Sequence, residues 1–212
     1  MKLDSLDTLL TEELRDVYDA EKQITKALPK MVKAAHSDDL REALQEHLEV
    51  TRGHVARLEE IFGLLNEKPK SRPCAGMKGI IQEGGEMMQF DSRGSEENLT
   101  DAALISAAQR VEHYEIAAYG TLRSYAEQLG NDRVARLLEQ TKEEEVEADR
   151  KLSEISEQLL SAEQGGMEAA DSEDEQESDG HSRSTGNGRS RSSATSRAGQ
   201  RNNKGRSGSN RR

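Results

Sequence analysis

The chain contains one cysteine, Cys74, and no apolar run approaching the ~20 residues needed for a membrane-spanning helix. It also has almost no alternating stretch of the kind that marks a strand. A single cysteine excludes an internal disulfide and fits a reducing compartment. The opening residues, MKLDSLDTLLTEEL, carry no hydrophobic signal core. A cytoplasmic protein without membrane contact is therefore expected. No nucleophile motif, phosphate-binding loop or thiol pair is present. From Glu163 onward there is no Leu, Ile, Val or aromatic residue. Such a segment cannot bury enough surface to offset the entropy of ordering, so residues 163–212 are expected to be a disordered tail.

Residues 1–162 remain, enough for one domain with a real core. This body is acidic, with 33 Asp and Glu against 21 Lys and Arg. That balance argues against nucleic acid as the main partner. The tail divides into an acidic block, 163–179, and a basic block, 180–212, which holds nine Lys and Arg. A solubilising extension is the favoured reading of the basic block, over contact with RNA, DNA or the acidic body.

Four long segments have helical periodicity. In the first, about Ser5 to Ala35, the stripe runs Leu10, Leu14, Val17, Glu21, Ile24, Leu28 and Met31. Pro29 lies inside it and is expected to kink or break the helix. After the turn HSDD, the second stripe runs Leu40, Leu44, His47, Thr51, His54, Leu58 and Ile61. The third helix is expected to begin near NLTDAAL with Thr100 as N-cap, and contains Leu104, Ala108, Val111, Glu115, Ala118 and Leu122. The fourth follows LGND with Val134, Leu138, Thr141, Glu145, Ala148, Leu152 and Ile155. The two helical hairpins also match one another: a gapless shift of 94 places lays residues 4–62 on 98–156. A 36-residue link, Gly63 to Asn98, joins them, and its AGMKGIIQEGGEMMQF stretch predicts a short helix. The fold class is all-α. Two hairpins joined by one long crossover form a ferritin-like four-helix bundle.

Glu115 interrupts an otherwise apolar stripe, and Glu21 does the same at the equivalent repeat position. Glu145 occupies the stripe of the fourth helix; Thr51 and His54 stand at that level in the second, with His47 one turn earlier. All lie near helix midpoints, so antiparallel packing brings them together. Clustered buried carboxylates need a compensating cation, because mutual repulsion adds to desolvation. Carboxylate with imidazole suits iron, manganese or zinc. A structural polar layer, neutralised by protons or by Arg or Lys, is the alternative. Glu112 and His113 flank the stripe as residues of an outer shell or of the surface. In EEEVE, 143–147, only Glu145 is placed at the seam, and Glu49 and Glu143 are read as solvated. Tyr18 and Tyr114 are read as core edge.

At AEKQITKALPK, HLEVTRGHVARLEEIF, DAALISAAQRVEHYEIAAYGTLRSYAEQLG and LLEQTKEEEVEADRKL the sequence resembles the YciF-type family of bacterial stress proteins, over about residues 5–160. The resemblance implies a ferritin-like bundle, a homodimer and induction by stress; the tail lies outside it. The wider ferritin-like pattern takes one Glu from each of two helices and Glu-x-x-His from each of the other two. Glu21 and Glu115 keep the single glutamates. The paired motif is broken twice: Thr51-x-x-His54 lacks the Glu and Glu145-x-x-Ala148 lacks the His. Asp149 can stand in as a fourth carboxylate, and His47 can approach from the other side.

The expected ligands are thus Glu21, His54, Glu115, Glu145 and Asp149, with His47, Thr51, Glu112 and His113 around them. The expected function is iron or manganese binding in the core and protection against oxidative stress, by peroxide or dioxygen reduction at the metal. A non-catalytic dimeric bundle acting through protein contacts is the competing expectation.

Overall fold

The computed structural model describes residues 4–88 and 97–177, with side chains described through residue 161. Five helices make up this part: α1 (Leu6–Ala34), α2 (Asp38–Leu64), α3 (Ala75–Met87), α4 (Glu97–Gln128) and α5 (Asp132–Glu177). No strand occurs among the described residues, and none of these helices is long and apolar enough to cross a membrane. The chain divides into two units, Met1–Ser172 and Glu173–Arg212. Of the second, only residues 173–177 are described, as helix.

Local chemistry sets the ends of the helices. Ser5 caps α1 by accepting from the Thr8 amide, and Ser37 caps α2 by accepting from the Leu40 amide. Each such cap contributes roughly 1 kcal/mol. Buried Asp101 of α4 adds to the second cap, accepting from the His36 and Ser37 amides at 2.9 and 2.6 Å. Gly130, at φ +71°, turns the chain out of α4. Gly76 permits a close approach: a Cβ there would lie 3.0 Å from the Tyr114 ring.

The repeat is visible in the element boundaries. α1 ends at 34 and α4 at 128, while α2 starts at 38 and α5 at 132. Both pairs differ by the 94 places of the sequence register.

α1 stays helical through Pro29, so the expected break does not occur; burial of Ile24 and Leu28 on its core face outweighs one lost backbone bond. Thr100 does not take the expected N-cap place: it lies inside α4 and is buried. Helix α5 runs to Glu177. Its Glu-, Gln- and Ala-rich extension contains no proline, and extending a helix costs far less than starting one. The rest of the expected tail, 178–212, lies outside the described residues.

The core is split in two. One apolar cluster holds Ile24, Leu28, Leu40, Leu44, Leu104 and Leu152, with Met77 of α3. The other holds Leu10, Leu14, Leu58, Phe62, Leu122 and Leu138. Ile80, Ile81 and Met88 of the crossover pack on the first cluster; Phe90 lies outside the described residues. On each of the four long helices the sequence passes from one cluster to the other through a short polar segment.

Candidate metal centre

Those polar segments meet. Glu21 comes from α1, His47, Thr51 and His54 from α2, Glu112 and Glu115 from α4, and Thr141 and Glu145 from α5; all are buried. Each takes an inward place in its helix stripe, so the apolar clusters above and below hold it in the interior. Two groups result, each with one ligand atom per residue and all atoms within 4.8 Å of one another: His47, Glu112, Glu115 and Glu145, and Glu21, His54 and Glu145. Glu145 belongs to both. Its Oε2 lies 3.8 Å from His47 Nε2, and its Oε1 2.9 Å from His54 Nδ1. His47 Nε2 is also 3.4 Å from Glu112 Oε1, and His54 Nδ1 is 3.5 Å from Glu21 Oε1.

The electrostatics of the groups differ. Burial pushes the Glu112 and Glu115 carboxyls well up, and the charges of Glu145 and Glu21 push them further. Burial also raises Glu21, against the opposing pull of His54 and of the Tyr119 hydroxyl, which donates to its Oε1. Burial resists ionisation of Glu145, but His54 and His47 hold it below the usual range. Burial likewise opposes charge on His54, yet Glu145 and Glu21 raise it to about 10. His47 goes down, chiefly through burial, which leaves it neutral and able to ligate.

Do these residues suit a metal ion? His47 Nε2, Glu21 Oε2, Glu112 Oε2, Glu115 Oε1 and Glu145 Oε2 are buried with no hydrogen-bond partner. Buried polar atoms are rarely left so, and a convergent set of them needs an explanation. Carboxylate oxygens and neutral imidazole are the donor set of iron, manganese or zinc. The residues fit such an ion.

Of the residues the sequence singled out, Glu21, His54, Glu115 and Glu145 are brought together. His47 and Glu112, expected around them, stand in the ligand groups themselves. Thr51 donates to the His47 carbonyl at 2.8 Å. Asp149 is in neither group; it accepts from Gln109 at 3.0 Å and faces exposed His113 at 3.4 Å. It sits one turn beyond Glu145, about 6 Å further along the helix, where Gln109 and His113 of α4 engage it instead of the layer. Tyr18 donates to Glu59 and Tyr114 to Asp16, both away from the layer.

Sequence reasoning missed Tyr119, Glu144 and Arg57. Glu144 Oε2 lies 2.8 Å from His54 Nε2, and both Glu144 oxygens accept from the Arg57 guanidinium. Burial works against the Glu144 charge, but Arg57, Gln140 and His54 bring it down to about 2. The spacing of Arg57 three residues after His54, on one helix face, was the available signal.

Comparison with known proteins supports the same architecture. The chain is 42% identical over 157 residues to Protein YciF of Escherichia coli (strain K12), covering 74% of this chain and 93% of that protein. The crystal structure of the E. coli stress protein YciF matches with a TM-score of 0.70 at 40% identity, covering 74% of this chain and 98% of that one. YcfI from Rhodopseudomonas palustris matches with a TM-score of 0.68 at 42% identity, covering 72% and 95%. Residues 5–165 match the family described as a domain of unknown function, DUF892, and the chain belongs to that family, as a homologue of the YciF stress protein.

Proposed function

We propose that the bundle core binds iron or manganese and that the protein protects against oxidative stress through that centre. The observation that carries this reading is the set of buried, partnerless ligand atoms converging from four helices. His47, Glu112, Glu115 and Glu145 would hold one ion, and Glu21, His54 and Glu145 a second. When bound, such an ion supplies Lewis acidity and redox chemistry toward peroxide or dioxygen. The chain's own part is to fix the ligands in a buried layer, with Tyr119 donating to Glu21 and Glu144 facing the outer nitrogen of His54. We also propose a cytoplasmic homodimer, on the strength of the likeness to YciF and of the single buried thiol, Cys74.

A second reading has its own support. His54 places a nitrogen within 2.9 Å of a carboxylate on each side, so a protonated imidazole can compensate part of the layer without metal. In that case the bundle acts through its surface. Elemental analysis of protein purified without chelator decides between them. Bound iron or manganese is expected; protein that stays metal-free after incubation with ferrous and manganous ions would overturn the metal reading.

A further inference from the structure

The polar layer is closed on one side and open on another. Glu21, His54 and Glu145 are fully buried. The outer nitrogen of His54 faces Glu144, which Arg57 grips through both oxygens. Beside this plug, with Glu144 in the wall between them, a cleft of about 510 Å³ between α2 and α5 runs in from the surface to His47 and Glu112.

We propose that this cleft is the port through which a hydrated divalent cation enters the core, filling the His47–Glu112–Glu115–Glu145 group first. The inference rests on the metal-binding reading and adds a route and an order to it. Three observations carry it.

The first is what lies at the bottom. His47 Nε2 and Glu112 Oε2 are buried and without hydrogen-bond partners, and their residues line the cleft. They are the first ligands an incoming ion meets.

The second is charge. Glu46, Glu143, Glu144 and Glu147 line the cleft with one lysine, Lys151, which pairs with Glu46; Arg57 holds Glu144 and Arg150 pairs with Glu147 from outside the lining, so the mouth keeps a net negative charge. An acidic mouth concentrates cations and repels anions. A smaller cavity, about 100 Å³ between α1, α3 and α4, also touches Glu112. Its lining is otherwise apolar except for Lys30, so a hydrated ion would lose its water there without compensation.

The third is internal to the repeat. The register of 94 places pairs His54 with Ala148, Glu144 with Val50, and Arg57 with Lys151. The first member of each pair belongs to the Arg57–Glu144–His54 plug; the second members line the cleft. The plug takes its imidazole and guanidinium from α2 and its carboxylate from α5, whereas the equivalent positions, exchanged between the two helices, hold alanine, valine and a lysine turned to Glu46. The cleft is the unplugged counterpart of a plugged position.

The test is the rate of loading. Full-length protein stripped with chelator is mixed with Co²⁺ in a stopped-flow instrument, and absorbance reports its transfer from water to protein ligands. Ala148→Phe fills the cleft and should slow both uptake and release ~10-fold or more, leaving the amount bound at equilibrium unchanged. Glu143→Gln with Glu147→Gln alters only exposed residues, so folding is not at issue. That double variant should load about 10-fold more slowly at low ionic strength and approach wild type in high salt. Wild-type rates in both variants would overturn the port, as would slowing by Gly84→Ala, which narrows the apolar cavity instead. Wild-type protein that takes up no Co²⁺ would refute the metal reading, not the route.

Discussion

Replacing Glu115 by Gln tests the central claim, because the metal-bound and metal-free proteins should respond in opposite directions. Glu115 is 1% exposed, and its Oε1 has no hydrogen-bond partner. Burial, then the charges of Glu21, Glu145 and Glu112, raise its proton affinity well above the ordinary range. A carboxyl raised in the fold favours folding fully below its unfolded pKa, and this contribution is lost as pH rises toward the folded value. With an unfolded pKa near 4.3, keeping the proton at pH 7 costs up to about 3–4 kcal/mol. An amide of the same shape carries no such cost.

Chelator-treated Glu115→Gln should therefore match wild type near pH 4.5 and exceed it at pH 7, by up to about 3 kcal/mol. For a domain of this size that is roughly 6–12 °C in melting temperature. The same variant should retain less iron or manganese, having lost an anionic ligand. Urea unfolding at the two pH values, with metal content measured on the same preparations, reads both effects. Full metal retention would refute the ligand role. An apo-protein destabilised by about 3–5 kcal/mol would mean that Glu115 neutralises a buried cation instead.

Metal uptake should release protons, since Glu112 and Glu115 hold theirs more tightly in the fold. Affinity should then rise with pH, and calorimetry in buffers of different ionisation enthalpy should show it; binding heats independent of buffer would count against this. A second ion must displace a proton from His54, raised to about 10, so the Glu21–His54–Glu145 group should fill only at higher pH or higher metal concentration, seen as a second phase in the titration. Glu144→Gln should weaken metal binding about 10–100-fold by loosening His54, while a helicity unchanged by circular dichroism would show the fold intact; wild-type affinity would remove Glu144 from the centre. Light scattering at micromolar concentration should give twice the chain mass, and a monomer would refute the homodimer.

The fold was legible because it is written twice. Each hairpin carries the same stripe at the same spacing, and Leu10, Leu28, Leu44 and Leu58 are buried, as are their repeat partners Leu104, Leu122, Leu138 and Leu152. The polar layer was legible where it interrupts that stripe, at Glu21, Glu115 and Glu145. Glu112 was harder to place because it lies three residues before Glu115, on the shoulder of the helix face, where exposure and burial are equally compatible with the period. Tyr119 was invisible for the opposite reason: a buried tyrosine reads as core, and only the contact with Glu21 on another helix gives its hydroxyl a role.

Asp149 and Glu144 show the limit of such reading most clearly. Both lie within four residues of Glu145, and one turn of helix does not fix which neighbour faces in. Helix α5 packs so that Glu144 turns toward α2, where Arg57 compensates its charge, while Asp149 turns toward α4 and meets Gln109 and His113. The deciding partners, Arg57 and Gln109, are 87 and 40 residues away in sequence, and nothing local announces them. The duplication misleads here as well. It pairs Glu144 with Val50, so repeat symmetry argues for a surface residue, whereas the structure uses the difference to close one side of the layer. Within the layer the two hairpins keep Glu21 and Glu115 in register but differ at Thr51 against Glu145 and His54 against Ala148, while Leu10, Leu28, Leu44 and Leu58 keep leucine partners on either side. A duplicated bundle can change its centre in this way without changing its fold, because the ligands occupy only the few inward positions at mid-helix and the leucines above and below carry the packing.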